Sequence, residues 1–377
     1  MVIGILGFGT IGVGVYDILK DLPGARVKHV LDLREVGVPE LTHRFEDILE
    51  DQEVDTVIEV MGGLHPAYEF VSACMKAGKN VVTANKFLVA NFYDELTLLA
   101  KEQGVSFRST AAVGGGIGWL TALENTKRMD KIHSIQGIMN GTTNYILSNM
   151  TEAGVSFETA LSEAQALGYA EADPSADIDG KDVLQKVMIS ANVAFDCSLK
   201  AQEIPTFGIR HISAADIDGF KEAGLVCKLL GNAAQKEDQI AAYVIPVVMD
   251  QNAIFGAVPS NYNLISYEAE YAGVMSFYGQ GAGRYPTASN VVKDCADLMA
   301  GAKAFYAENH GYRAISNEIV SYRFYLRSVS PKAAALAKEK LGAGWITGKM
   351  SVAEMAAQMK EIQNEDPAAF LAAVQES

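Results

Sequence analysis

Short apolar runs recur through the first third of the chain, each followed by a stretch whose hydrophobic positions repeat with a helical period. Val2 to Leu6 is the first run, and a helix begins near Val13. Val27 to Leu33 is a second strand. Thr56 to Met61 is a third, ended by Gly62-Gly63, and Pro66 to Ala77 is the helix after it, closed by Gly78. Strands over Asn80 to Thr83 and Val105 to Arg108 flank a helix over Tyr93 to Gln103. Apolar strands of this length alternating with helices predict a parallel, doubly wound sheet.

The pattern changes after Gly114-Gly115-Gly116. Residues 119–129 read as a helix and Lys131 to Met139 as a strand. Tyr145 to about Ala166 is helical with a break at Gly154, and a long helix follows from about Gly180 to Phe195. Ala241 to Val248 is a strand, and a helix is expected from about Ala288 to Tyr306. Beyond residue 313, Tyr322 to Val329 reads as a strand. The rest carries 13 alanines in the last 65 residues, which favours helices over Pro331 to Leu341, Ser351 to Ile362 and Pro367 to Gln375. Ser351-Val352-Ala353-Glu354 is a capping box.

The length of 377 residues suggests two or three domains. A net charge of −15 with no basic run argues against a nucleic-acid partner. The cysteines, Cys74, Cys197, Cys227 and Cys295, are scattered, so a structural zinc site is not expected and a reducing cytoplasm is. The N-terminus offers no basic leader. Ala241 to Met249, the longest apolar run, contains Pro246 and is too short to cross a bilayer, so no membrane association is expected.

Gly7-Phe8-Gly9-Thr10-Ile11-Gly12 lies between the first strand and the first helix. There the first glycine permits a tight turn, the second lets backbone approach a pyrophosphate, and the third lets helix pack on strand. The helix N-terminus adds free N–H groups and a partial positive charge. A glycine turn alone is common; strand, helix and a later acid together point to a dinucleotide. That acid, Asp32, about 20 residues beyond Gly12, suits the ribose hydroxyl of NAD. Arg34 suits the 2′-phosphate of NADP, so these residues leave NAD or NADP open.

Five acids, Glu171, Asp173, Asp177, Asp179 and Asp182, crowd one loop and the start of the helix that follows. Asp182 and Lys186 are four apart and share a helix face, and Asp179 and Ser190 extend that polar stripe. An exposed ion pair at a helix N-terminus is the plain reading. Val183, Leu184, Val187, Met188, Ile189 and Val193 weaken it, because a helix so apolar is mostly buried. A buried lysine beside carboxylates is a proton donor, and the loop acids can bind the amino or hydroxyl group of a small polar substrate.

These segments together resemble the homoserine dehydrogenase family over about residues 2–310. The resemblance rests on Gly7 to Gly12, Thr83-Ala84-Asn85-Lys86, Val113-Gly114-Gly115-Gly116-Ile117, Asn140-Gly141-Thr142-Thr143-Asn144-Tyr145-Ile146, Gly168 to Lys186, and Gly281 to Ser289. It implies an α/β chain with a Rossmann domain over 1–130, completed by a helix at about 288–310. An α+β catalytic and dimerisation domain with a mixed sheet would span 131–287, and a short, mainly helical extension 313–377. It implies a cytoplasmic homodimer that interconverts L-homoserine and L-aspartate 4-semialdehyde with NAD or NADP, in threonine, methionine and isoleucine biosynthesis. By the same resemblance Lys186 is the general acid/base and Asp182 orients it. Glu171 and Asp177 bind homoserine, helped by Thr142 and the backbone near Tyr169. Lys86 lies near nicotinamide and substrate, and Gly7, Phe8, Gly9, Thr10, Ile11, Gly12, Asp32, Arg34, Thr83, Gly168 and Gly283 meet the cofactor. Neutral Lys186 would accept the hydroxyl proton, so oxidation should improve at alkaline pH.

The chain departs from the family pattern in places. Thr110 stands where the family has a glutamate that, with backbone around Val113, Gly115 and Ile117, binds a monovalent cation, usually sodium. A neutral hydroxyl weakens that site. Gly118 replaces a usual proline, and Leu33-Arg34 replaces a common Arg-Asp pair. Many relatives end in an ACT regulatory domain. Here too little chain is expected for a full βαββαβ unit, so the tail reads as a truncated module with weak or absent threonine feedback, or equally as a helical cap that supports the dimer. A catalytically silent nucleotide sensor of the same fold is the competing function; retention of Glu171, Asp182, Lys186 and Lys86 speaks for the enzyme.

Overall fold

In the computed structural model, which describes residues 1–302 and 311–376, the first six strands form one parallel sheet. They are β1 (Val2–Leu6), β2 (Arg26–Leu31), β3 (Leu41–Thr42), β4 (Thr56–Glu59), β5 (Asn80–Thr83) and β6 (Phe107–Arg108), in the order β3-β2-β1-β4-β5-β6. The order turns back between β1 and β4, so a crevice opens beyond their carboxyl ends. Ile3, Ile5, Ile58 and Val82 are fully buried against Val15 and Val291, which lie on helices. Each such side chain contributes about 1.5–3 kcal/mol. A Cβ on Gly14 would stand 3.0 Å from the Ala288 Cβ, so this glycine sets the close approach of helices Thr10–Leu19 and Arg284–Met299. This unit comprises Met1–Met129, Asn192–Ser198 and Gly279–Tyr312.

Two boundaries differ from expectation. The helix expected from Tyr93 begins at Lys86, because the Asn85 side chain accepts from Leu88 N and caps it; non-helical dihedrals at Phe92 mark a kink. The helix expected to reach Tyr306 ends at Met299, and residues 303–310 lie outside those described.

The second unit comprises Asp130–Ala191, Leu199–Tyr278 and Arg313–Ser377. Its sheet contains β7 (Ile132–Ile138), β8 (Leu225–Lys236), β9 (Gln239–Asp250), β10 (Asn263–Ala269) and β11 (Gly273–Gly279), ordered β11-β10-β7-β8-β9. The helix Lys181–Phe195 lies on β8 at Gly231, where a Cβ would fall 2.2 Å from Val187 and 2.8 Å from Val183. That packing face leaves Asp182 and Lys186 on another side of the helix.

The C-terminal segment corrects the expected mainly helical, truncated tail. It runs β12 (Ser321–Arg327), helix Pro331–Leu336, β13 (Ala337–Leu341), β14 (Gly344–Thr347), a short β15 (Met350–Ser351), helix Val352–Glu365 and β16 (Phe370–Val374). This is a full βαββαβ unit with strand order β13-β14-β12-β16. Helix was expected across Ala337–Leu341, but β13 pairs with β14 around a turn with Gly342 at φ 50°. The last expected helix is β16, whose Phe370 to Ala373 are buried between β9, with which β16 runs parallel, and antiparallel β12. Cross-strand pairing and burial on both faces outweigh alanine's helix preference, which is worth only tenths of a kcal/mol per residue. Ser351 and Glu354 do form the capping box. With the tail complete, the reason given for weak feedback no longer holds.

Candidate functional site

The glycine turn has the geometry a dinucleotide needs. Gly7 has φ 96°, a Cβ on Gly12 would stand 2.3 Å from the Gly7 carbonyl oxygen, and a Cβ on Gly9 would meet nothing within 4 Å. Gly9 is the N-cap of Thr10–Leu19 and offers no side chain to that helix, so its first-turn N–H groups are left for a phosphate. The residues present therefore fit a bound dinucleotide.

Asp32, at the end of β2, braces this loop. Its carboxylate accepts from Phe8 N (2.9 Å), Arg34 N (2.9 Å), Arg34 Nε (2.9 Å) and Arg34 Nη2 (2.9 Å), and Arg34 Nη2 also donates to the Phe8 carbonyl. The Arg34 side chain, seconded by the backbone donors, holds the Asp32 carboxyl well below the usual range despite partial burial. Four donors fill its acceptor sites. Arg34 is 66% exposed, so the rest of its guanidinium faces solvent.

Thr83 and Asn85 belong to a buried network around Glu59, at the end of β4. The Glu59 carboxylate accepts from Thr83 Oγ1 (2.6 Å), Met61 N (2.8 Å), Gly62 N (3.3 Å) and Asn85 Nδ2 (3.3 Å). Burial raises the Glu59 carboxyl, against the pull of those donors. Asn85 Nδ2 also donates to the Gly63 carbonyl, so one glutamate ties the Gly62-Gly63 loop to the cap of the helix that opens with Lys86. Lys86 Nζ stands 5.3 Å from the centre of the Phe87 ring. Gly283, at φ 123°, caps the helix Arg284–Met299 in this same unit.

The monovalent-cation site does not fit the residues here. Thr110 Oγ1 donates to Asp294 Oδ1 (2.7 Å) and lies 3.0 Å from Thr121 Oγ1, while Thr110 N donates to Asp294 Oδ2. Asp294 is itself paired with Arg108. The Gly115 carbonyl accepts from Asn290. A hydroxyl already committed to Asp294 stands where the family carries a carboxylate.

In the second unit, Lys186 is buried at the second turn of its helix. Its ammonium donates to Asp182 Oδ2 (2.8 Å) and to the Met139 carbonyl (2.7 Å). An ammonium has three donors, so one N–H remains for an incoming oxygen. Asn140 closes the arrangement. Its Nδ2 donates to Asp177 Oδ1 (2.6 Å) and Asp182 Oδ2 (2.8 Å), while its Oδ1 accepts from Thr143 N (2.8 Å) and caps the helix Gly141–Ala153. Thr142 Oγ1 donates to the Tyr169 carbonyl (2.5 Å), and the Tyr169 ring lies edge-on to Tyr145. Gly168, at φ 77°, turns the chain into that loop.

The loop acids do not all converge. Asp182 and Asp177 meet through Asn140. Glu171 lies exposed in the loop, and its backbone carbonyl rather than its carboxylate accepts from Gln165. Asp179 leaves the expected stripe because it precedes the helix, and it takes a bidentate pair from Arg210. Ser190 turns back to the Lys186 carbonyl. Sequence reasoning missed Asn140, Glu59 and the Met139 carbonyl. Only the first carried a signal, an asparagine before Gly141-Thr142-Thr143 in N-cap position.

Comparisons with known proteins agree with this chemistry. Residues 119–296 match the family "Homoserine dehydrogenase", and residues 7–109 match "Homoserine dehydrogenase, NAD binding domain". A homoserine dehydrogenase from Synechocystis is 39% identical over 315 residues, 79% of this chain and 73% of the relative. One from Corynebacterium glutamicum is 40% identical over 312 residues, 78% and 70% of the two chains. The crystal structure of a homoserine dehydrogenase from Thiobacillus denitrificans superposes with a TM-score of 0.88 at 31% identity, covering 100% of this chain and 98% of that one.

Proposed function

The chain belongs to the homoserine dehydrogenase family, NAD(P)-dependent oxidoreductases that interconvert L-homoserine and L-aspartate 4-semialdehyde, and we propose that Lys186 carries the proton in that reaction. The observation that supports this is its buried ammonium, fixed by Asp182 and the Met139 carbonyl with one N–H to spare. A dinucleotide held by Gly7 to Gly12 would supply or accept the hydride. As the aldehyde carbon gains hydride, its oxygen becomes negative; Lys186 Nζ stabilises that charge and gives it a proton. In reverse, the Lys186 amine takes the hydroxyl proton of homoserine. Asp182 orients the amine. Asp177, with Thr142 and the Tyr169 backbone, binds the polar end of the substrate, and the exposed Glu171 is a further carboxylate for it.

On the cofactor side, Gly7 to Gly12 cradle the pyrophosphate and Lys86 and Thr83 serve the nicotinamide end. The four donors on Asp32 leave little for a ribose hydroxyl, whereas Arg34 presents free donors to a 2′-phosphate; this favours NADP over NAD. Among the described residues no helix is long and apolar enough to cross a membrane, and all four cysteines are free and buried. That suits a cytoplasmic enzyme. The exposed Val274, Met275 and Tyr278 of β11 suit a homodimer contact. Homoserine-dependent reduction of NADP at alkaline pH is the test. Lys186→Ala should lose about 10²- to 10⁴-fold in kcat while coenzyme still binds, the scale of general acid–base catalysis. Near-normal turnover in that variant would remove the assignment.

A further inference from the structure

We propose that Asn140 is a positioning residue for the reaction, its one amide group clamping Asp177 and Asp182 into a working pair. The inference rests on the roles given above to Asp182 and Lys186. It starts from a flip that the backbone decides. Asn140 Oδ1 accepts from Thr143 N at 2.8 Å as the N-cap of Gly141–Ala153, so Nδ2 must point the other way. On that side stand two carboxylate oxygens, Asp177 Oδ1 at 2.6 Å and Asp182 Oδ2 at 2.8 Å. An amide nitrogen has two hydrogens and no acceptor, so each carboxylate takes one. Asn140 is 5% exposed and the bonds it makes to charged groups are shielded from water.

The two acids come from different elements. Asp177 belongs to the short helix Ser175–Ile178 and Asp182 to the first turn of Lys181–Phe195. Left alone, neighbouring carboxylates repel. The amide holds them together and chooses which oxygen each presents. Asp182 Oδ2 is the atom that also receives Lys186 Nζ, so the clamp sets where the ammonium's partner sits. Asp177 Oδ1 is engaged by the clamp, which fixes that carboxylate beside Asp182. The preceding residue contributes as well, because the Met139 carbonyl takes a second Lys186 N–H. Met139 and Asn140 together therefore fix Lys186, its counter-ion Asp182 and the carboxylate of Asp177 from one corner between β7 and a helix.

Asn140 has two separable jobs, the cap and the clamp, and substitution can split them. Asn140→Ser keeps a good N-cap oxygen and lacks the bridging amide. Asn140→Asp is isosteric, keeps the cap oxygen and puts a third acceptor where the donor was. Asn140→Ala loses both jobs. All three are assayed with homoserine and NADP, alongside thermal melts and coenzyme binding. The expected result is that Asn140→Ser melts within about 3 °C of the parent but loses about 10- to 100-fold in kcat/KM for homoserine, the scale of one hydrogen bond to a charged group. The loss should divide between a higher homoserine KM and a lower kcat, with the coenzyme KM unchanged. Asn140→Asp should be less active than Asn140→Ser. A residue that is only a cap predicts the reverse: activity recovers with stability in both variants. The proposal is overturned if Asn140→Ser, or Asn140→Asp should the serine variant not fold, keeps kcat and homoserine KM within twofold of the parent. Lys186→Ala separates the two claims: if it is inactive while the Asn140 variants are normal, only the clamp fails.

Discussion

Removing the Arg34 side chain should move the enzyme from NADP toward NAD. The perturbation is Arg34→Ala. The guanidinium now spans both oxygens of Asp32 at 2.9 Å and reaches the Phe8 carbonyl. Three effects follow, all of one sign. A 2′-phosphate loses a charge-assisted hydrogen bond at an exposed guanidinium, an effect added to the energies that follow. It also meets the bare Asp32 carboxylate, which costs about 1–3 kcal/mol at 5 Å in a medium of dielectric 20–80. The ribose hydroxyl of NAD gains an Asp32 oxygen, about 1 kcal/mol. The sum shifts the ratio of kcat/KM values, NADP over NAD, by at least about 30-fold, at 1.4 kcal/mol per tenfold. The assay measures homoserine oxidation with each coenzyme on one preparation, so the ratio is independent of active fraction. Raising the salt should shrink the repulsive part. A ratio within threefold of the parent, or one moved further toward NADP, would refute the reasoning.

Three other outcomes test the scaffold. Glu59→Ala should raise the coenzyme KM about tenfold while leaving the homoserine KM alone, because Met61 N, Gly62 N and Asn85 Nδ2 lose the oxygen they share and the Gly62-Gly63 loop loosens; an unchanged coenzyme KM would count against that role. Asp216 is fully buried and accepts from Tyr325 Oη (2.6 Å), Arg327 Nε (2.9 Å) and Ser213 Oγ (2.7 Å), so Asp216→Ala should destabilise the second unit by about 3–5 kcal/mol in urea melts. A loss under 1 kcal/mol would show the βαββαβ unit to be loosely attached. Burial pulls the Lys228 ammonium down to about 8, although it donates to Asn144 Oδ1 and the Val258 carbonyl. Between that pH and about 10.4, where the unfolded lysine titrates, unfolding takes up a proton, so stability rises with pH by up to about 3 kcal/mol relative to Lys228→Met. A difference between the two proteins that ignores pH from 7 to 10 would exclude it.

The parallel sheet, the glycine turn and the Asp182–Lys186 pair were legible because each depends on neighbours along the chain. A Rossmann turn needs its glycines within one loop, and an i,i+4 pair needs only a helix. Where distant residues decide the outcome, the pattern misled. Ala337–Leu341 and Phe370–Val374 carry alanines that favour helix, yet each has a strand waiting to pair with it. Asp179 belonged by spacing to the lysine stripe, and Arg210, from a segment about 30 residues on, took it away.

The amino-acid sequence by itself determined the sheet of the first unit, the dinucleotide loop and the pairing of Asp182 with Lys186, since these follow from local periodicity and short motifs. Only the tertiary structure decided how charge is arranged around them. Which acids face Lys186, what Arg34 does to Asp32, and why Glu59 and Asn140 are there at all depend on contacts between elements far apart in the chain. The last 60 or so residues make the same point at the scale of a fold. Alanine is content in either helix or strand by small margins, and a buried place between β9 and β12 outweighs those margins.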